Sequence, residues 1–200
     1  MKVKVLILDA MGVMYSVGDD VKDLLCPFIA EKGGSKDIDK IAALYLAASL
    51  GNINAKEFWR AVGLSPALED EYLGRHNLTD GLIEFLEMVH SRGLEIRCLS
   101  NDLSEWSKKL RDSFNLGKYI CDFTISGDVG LRKPNPAIFQ HLLRRINISA
   151  VDALIVDDSP ENLRPAAELG FKTIFFNAGN LKHPFHQSVK TFDELLQYLL

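Results

Sequence analysis

VKVLILDAMGV, residues 3–13, is the stretch around which the chain is organised. Val3, Val5, Leu6, Ile7 and Leu8 form an almost unbroken apolar run. Such a run reads as a strand buried on both faces, the kind found inside a parallel sheet. It ends on a single carboxylate, Asp9, and Gly12 follows to let the backbone turn. Open α/β sheets bind ligands outside the carboxyl ends of their strands, so Asp9 stands where chemistry is done.

Outward from that strand the rhythm changes twice. From Val21 to about His76 the apolar spacing is helical: Val21, Leu24, Leu25, Phe28 and Ile29, then Ile38, Ile41, Ala42, Tyr45 and Ala48. Asn54 with Glu57 reads as a capping box, and Ser65-Pro66 as a further helix start. From Thr79 onward helices alternate with strands, predicted at Leu94–Ser100, Phe123–Ser126, Ala153–Val156 and Lys172–Phe176. Asp102 and Glu105 are expected to cap the helix after the second strand. That alternation predicts an α/β fold, a Rossmann-like five-stranded parallel sheet covered on both faces. The expected organisation is a core of residues 1–15 and 79–200 with an inserted helical cap, 16–78. The cleft between them is the expected ligand site, with cap movement admitting substrate and excluding water.

Composition narrows the function. The 200 residues allow one large domain or a core with an insertion. A net charge of −4 and the lack of basic runs argue against a general nucleic-acid binder. No stretch approaches the roughly 20 apolar residues of a membrane span, and the start lacks signal-peptide character. Cys26, Cys98 and Cys121 are widely spaced and embedded in core-like segments, so they read as reduced packing residues of a cytoplasmic protein.

In a parallel sheet all carboxyl ends share one edge. That edge receives Asp9, then Ser100-Asn101, then the loop holding Lys133, then Asp157-Asp158. A nucleophile candidate, a hydroxyl, a cation and a carboxylate pair thus converge from four segments. These are the parts that phosphate monoester hydrolysis requires. An aspartate attacks phosphorus and forms an acyl-phosphate, splitting one hard step into two. The dianion repels that carboxylate unless positive charge lies between them. Mg²⁺ suits the purpose, since it prefers hard oxygen ligands. Asp9 and Asp158 are placed to hold it, Lys133 and Ser100 to meet the other phosphoryl oxygens, and the amides of Met11 and Gly12 to assist.

The pieces LILDAMGV, CLSND, RKPNP and IVDDSPENL, in order across the whole chain, resemble the four motifs of the haloacid dehalogenase superfamily, in its helical-cap branch. The resemblance implies Asp9 as nucleophile and metal ligand, with the Met11 carbonyl as a second ligand. It implies Ser100 as a phosphoryl contact, Lys133 as the residue orienting nucleophile and phosphate, and Asp158 as a Mg²⁺ ligand supported by Asp157. Asn101 reads first as a cap of the next helix, with its amide at the phosphate as the functional alternative. Asn162 stands where many relatives carry another acid.

One departure bears on the chemistry. Phosphatases of that superfamily carry a second aspartate two residues after the nucleophile, as general acid and base. Here the position is Met11. Such help is typically worth about 10² to 10⁴ in rate. Three readings follow. The first is a phosphatase acting on a small phosphate monoester, faster on aryl or anomeric phosphates than on alkyl ones. The second is a fold-preserving binding or regulatory protein. The third is a metal-independent 2-haloacid dehalogenase, against which the Asp157-Asp158 pair weighs. Asp19 and Asp20 are candidate substitutes for the acid, but read first as a solvated helix start. His76, His90, His141, His183 and His186 show no ligand spacing and read as surface or packing residues. Trp59 and Trp106 read as core, as do Phe175, Phe176 and the region of Phe185. Lys56 and Arg60 read as a solvated helix face. The chain is expected to act as a monomer or homodimer on a small-molecule phosphate, with neither nucleic acid nor membrane as partner.

Overall fold

Six parallel strands in the order β3-β2-β1-β4-β5-β6 form the sheet in a computed structural model describing residues 3–179 and 187–199. They are β1 (Val5–Leu8), β2 (Glu95–Ser100), β3 (Asp122–Ile125), β4 (Ala153–Asp157), β5 (Lys172–Phe176) and β6 (Ser188–Val189). The expected sheet had five strands. β6 is only two residues long, too short for any periodicity to announce it, and pairs with β5 through Phe175 and Phe176.

The apolar run of β1 is explained by its two neighbours and two faces. β1 lies between β2 and β4. Leu6 and Leu8 enter one buried apolar cluster, Val5 and Ile7 the other. Successive side chains point to opposite faces, so a strand covered on both sides must be apolar throughout.

After β1 come a π-helical turn (Val21–Leu25), α1 (Cys26–Glu31), α2 (Ile38–Ala48), α3 (Ala55–Ala61) and α4 (Glu69–Leu73). The capping box before α3 is present: Asn54 Oδ1 accepts from the Glu57 amide and Glu57 Oε2 from the Asn54 amide. The chain leaves for these helices and returns from them side by side. Ser16 N–H donates to Asn77 O at 3.0 Å and Thr79 N–H to Met14 O at 2.9 Å.

The remaining helices are α5 (Leu82–Ser91), α6 (Ser104–Ser113), α7 (Ser126–Val129), α8 (Pro136–Ile146), α9 (Pro160–Glu168) and α10 (Phe192–Leu199). α6 packs against the inserted helices. Trp106 meets Tyr72, Phe58 and Trp59 with ring centroids 5.0, 5.3 and 5.5 Å apart. The indoles of Trp59 and Trp106 both donate to Glu69 Oε2, at 3.1 and 2.9 Å, and Lys109 pairs with Oε1 at 2.7 Å. Asp102 and Glu105 do not cap α6 as expected. Leu103 precedes that helix without a side-chain cap. Buried Asp102 accepts from the Leu103 amide, and Glu105 from Ala55. Cys26 and Cys98 are buried, but Cys121 is exposed, which corrects the packing role expected of it. No helix among the described residues is long and apolar enough to cross a membrane.

Candidate active site

The strand order reverses between β1 and β4, and such a switch point opens a crevice at the carboxyl edge. The register pairs Leu8 with Val156, so Asp9 and Asp157 leave the sheet as neighbours. A cavity of about 190 Å³ opens there, lined by Asp9, Met11, Asp20, Ser100, Arg132 and Asp158 among others. A larger hollow of about 850 Å³ lies at the opposite end of the strands, between Val3, Leu94, Lys172 and Leu196. It gathers none of the predicted groups.

Lys133 is the hub. Its Nζ lies 2.8 Å from Asp9 Oδ1 and 2.7 Å from Asp157 Oδ2, and donates to Leu99 O at 2.9 Å. A buried ammonium survives only when so surrounded. Burial works against the charge, but Asp157 and Asp9 outweigh it and hold the group above the usual lysine range. Asn101 fixes the loop that delivers this lysine. Its Nδ2 donates to Lys133 O at 2.9 Å, and its Oδ1 accepts from Lys133 N–H at 2.8 Å. Asn101, expected to cap a helix or touch phosphate, clamps Lys133 and also lines the cavity.

Asp9 uses one carboxylate oxygen to stay in place. Oδ1 accepts from Lys133 and, at 2.6 Å, from the Ala10 amide. Oδ2 takes no hydrogen bond among the described residues. Burial and the nearby Asp157 raise the Asp9 carboxyl well above the ordinary carboxylate range despite Lys133. Asp157 has both oxygens engaged: Oδ1 by the Ser159 amide and Asn162, Oδ2 by Lys133 and Asn162. Asp158 is half-buried, and burial with the Asp157 charge pushes it up to about 6. Ser100 Oγ is buried with no partner among the described residues. An orphaned hydroxyl is costly and suits a ligand oxygen arriving in the cavity.

Gly12 supplies room. Its φ is +70°, and a Cβ there would lie 1.9 Å from Asp158 Oδ2. Any side chain would displace that carboxylate. Its amide, expected at the phosphate, instead donates to Val17 O at 2.7 Å, because the loop folds back immediately. Met11 lines the cavity.

Carboxylate oxygens of Asp9, Asp157 and Asp158 lie within 4.8 Å of one another. Three carboxylates against one ammonium leave an excess of negative charge on hard oxygen donors, and Mg²⁺ fits that set.

Two residues read as bland belong to this region. Asp20, taken for a solvated helix start, is buried and lines the cavity. His76, taken for packing, is buried with Nε2 3.1 Å from Asp20 Oδ1. Their contact spans 56 residues, and no local pattern signals it. Arg132 was also missed. It hydrogen-bonds Ser49 Oγ and lies over the Tyr45 ring, 5.6 Å from its centroid. Its one signal was its place beside Lys133. Lys56 and Arg60 are exposed and lie outside the cavity lining. His183, His186 and Phe185 lie outside the described residues.

Residues 3–170 match the haloacid dehalogenase-like hydrolases. A phosphoglycolate phosphatase of Aquifex aeolicus is 34% identical over 98 residues, 48% of this chain and 46% of that one. The chain spans under half the length of the first curated relatives it matches. Among solved structures, a HAD phosphatase from Thermococcus onnurineus superposes with a TM-score of 0.76 at 19% identity, covering 100% of this chain and 98% of that one. A HAD family enzyme of Bacteroides thetaiotaomicron, in complex with magnesium and inorganic phosphate, gives a TM-score of 0.75 at 20% identity, with coverage of 92% and 98%. At these identities the structural likeness concerns the fold.

Proposed function

The chain belongs to the haloacid dehalogenase-like hydrolases, and from that premise we propose that it is a Mg²⁺-dependent phosphatase of a small phosphate monoester, working through an aspartyl-phosphate on Asp9. The observation that carries this reading is the division of labour within one carboxylate. Oδ1 is fixed by Lys133 and the Ala10 amide, which leaves Oδ2 for attack on phosphorus.

Lys133 orients Asp9 and draws charge from the phosphoryl oxygens, while Asp157 and Asn162 keep the lysine and its loop in register. Ser100 Oγ, without a partner among the described residues, donates to a phosphoryl oxygen. Asp9, Asp158 and the Met11 carbonyl hold the cation, with Asp157 beside them. Bound Mg²⁺ supplies the positive charge that lets a carboxylate approach a phosphate dianion. The cavity volume of about 190 Å³ favours a compact substrate. Residues 16–78 act as the cap that closes this cavity over the core of 1–15 and 79–200. A monomer or homodimer in the cytoplasm suffices for such a reaction.

The test is phosphate release from a panel of esters, with and without Mg²⁺, beside Asp9→Asn. Release should require the cation and fall by on the order of 10⁴ or more in the variant. Phosphate binding without turnover would favour a regulatory protein. Chloride release from a 2-chloroacid without the cation would favour a dehalogenase.

A further inference from the structure

We propose that Asp20, held by His76 and Tyr72, is the proton carrier of this hydrolysis, donating to the leaving oxygen and then accepting from the attacking water. The inference rests on the phosphatase reading and supplies the group that Met11 lacks.

His76 Nδ1 lies 3.1 Å from Leu73 O, and a carbonyl can only accept, so Nδ1 carries a proton. Nε2 lies 3.1 Å from Asp20 Oδ1. That contact needs a proton of its own, on the imidazole or on the carboxyl. Either His76 is an imidazolium beside a carboxylate, or it is neutral beside a protonated Asp20. One proton therefore lies between Nε2 and Oδ1. Tyr72 donates its hydroxyl to Asp20 Oδ2, fixing the carboxyl from the other side.

The pair is built into the wall of the reaction cavity. Asp20 lines it together with Asp9, while Tyr72 and His76 stand behind. Tyr45 of α2 and Asp102 after β2 also face Asp20, and Arg132 and Asp9 face Tyr45. The π-helical turn beginning at Val21 follows Asp20 directly. Such irregular turns are frequent at functional sites.

The steps balance. Asp9 Oδ2 bonds to phosphorus as the ester P–O bond breaks, and the alkoxide takes the proton of Asp20, leaving an alcohol, the acyl-phosphate and an Asp20 carboxylate. Water then bonds to phosphorus as the acyl-phosphate P–O bond breaks, and its proton returns to Asp20. Phosphate leaves with both carboxyls restored. His76 is a positioning residue that holds Asp20 and shares its proton before donation and after the return.

The decisive experiment compares Asp20→Asn with the unmodified chain, in Mg²⁺, on an alkyl phosphate and on 4-nitrophenyl phosphate. The alkyl ester needs a proton on its leaving oxygen and should lose about 10² to 10⁴ in rate. The aryl ester, whose leaving group departs as an anion, should lose no more than roughly tenfold. Equal losses on both esters, or none on either, overturn the assignment and leave the phosphatase reading intact. If the unmodified chain hydrolyses neither ester, that reading fails and the inference falls with it. Should Asp20→Asn not fold, the unmodified chain decides alone. A rate nearly independent of leaving-group pKa across aryl and alkyl esters supports a supplied proton, and a steep decline overturns it.

Discussion

The carboxyl edge of the sheet and the seam between α6 and the inserted helices each bury a carboxylate, and they treat it in opposite ways. At the seam, Glu69 receives two indole N–H groups and one lysine that reaches solvent. At the edge, Asp157 shares one fully buried lysine with Asp9, and Asp158 stands beside them. The seam satisfies its charge with two neutral indole donors and one half-exposed lysine. The edge leaves its carboxylates crowded, with those of Asp9 and Asp158 raised above the ordinary range. Crowding of that kind is tolerated where a substrate or cation is to be bound, and it costs stability until one arrives.

The largest effect that can break this contrast is expected from Lys133→Met. Asp9 and Asp157 would face each other in a buried site without their ammonium. Leaving a buried charge unpaired typically costs about 3 to 5 kcal/mol. Phosphate release should vanish as well, since the same lysine orients Asp9. Urea unfolding without added cation and a phosphate assay read the two losses. A stability change under about 1 kcal/mol would show that the edge does not depend on this ion pair.

Trp106→Ala probes the other side of the contrast. It removes a fully buried indole that touches Phe58, Trp59 and Tyr72 and bonds Glu69. Large aromatic truncations in cores cost about 3 to 5 kcal/mol. Turnover at a temperature where the variant stays folded should change by less than roughly tenfold, because Trp106 itself is not among the residues lining the cavity. A collapse of turnover with folding intact would mean that the seam also holds the cavity's shape. The expected cap motion would then have to be reconsidered as well, since opening would separate these same rings.

The two regions also differ in how far the sequence discloses them. Asp9, Ser100, Lys133, Asp157 and Asp158 were legible because each follows an apolar run or a turn in a parallel sheet. That topology sends every such ending to one edge, whatever the strand order. Trp59 and Trp106 were legible as core from helical spacing. What escaped depends on pairing across long stretches of chain. Asp20 meets His76 and Tyr72 only once α4 folds back. Asn101 clamps Lys133 across 32 residues. Gly12 spends its amide on a loop whose return no residue type announces. β6 is held by its pairing with β5, with no periodicity of its own.

Asp102 offers the finest test, because it lies between the two regions. It is buried, and burial followed by the charge of Asp20 pushes its carboxyl up to about 8. A carboxyl with its folded value above its unfolded value of about 3.9 binds its proton more tightly in the fold. Its contribution is therefore most favourable below the unfolded value and declines as pH rises through the folded one. Asp102→Asn keeps an oxygen to accept from the Leu103 amide but removes the titration. The stability of the unmodified chain should fall more steeply than that of the variant between pH 4 and pH 8, as read by urea midpoints across that range. Parallel curves would mean that Asp102 keeps its charge in the fold. The crowding of the edge would then extend past Asp20 toward the seam.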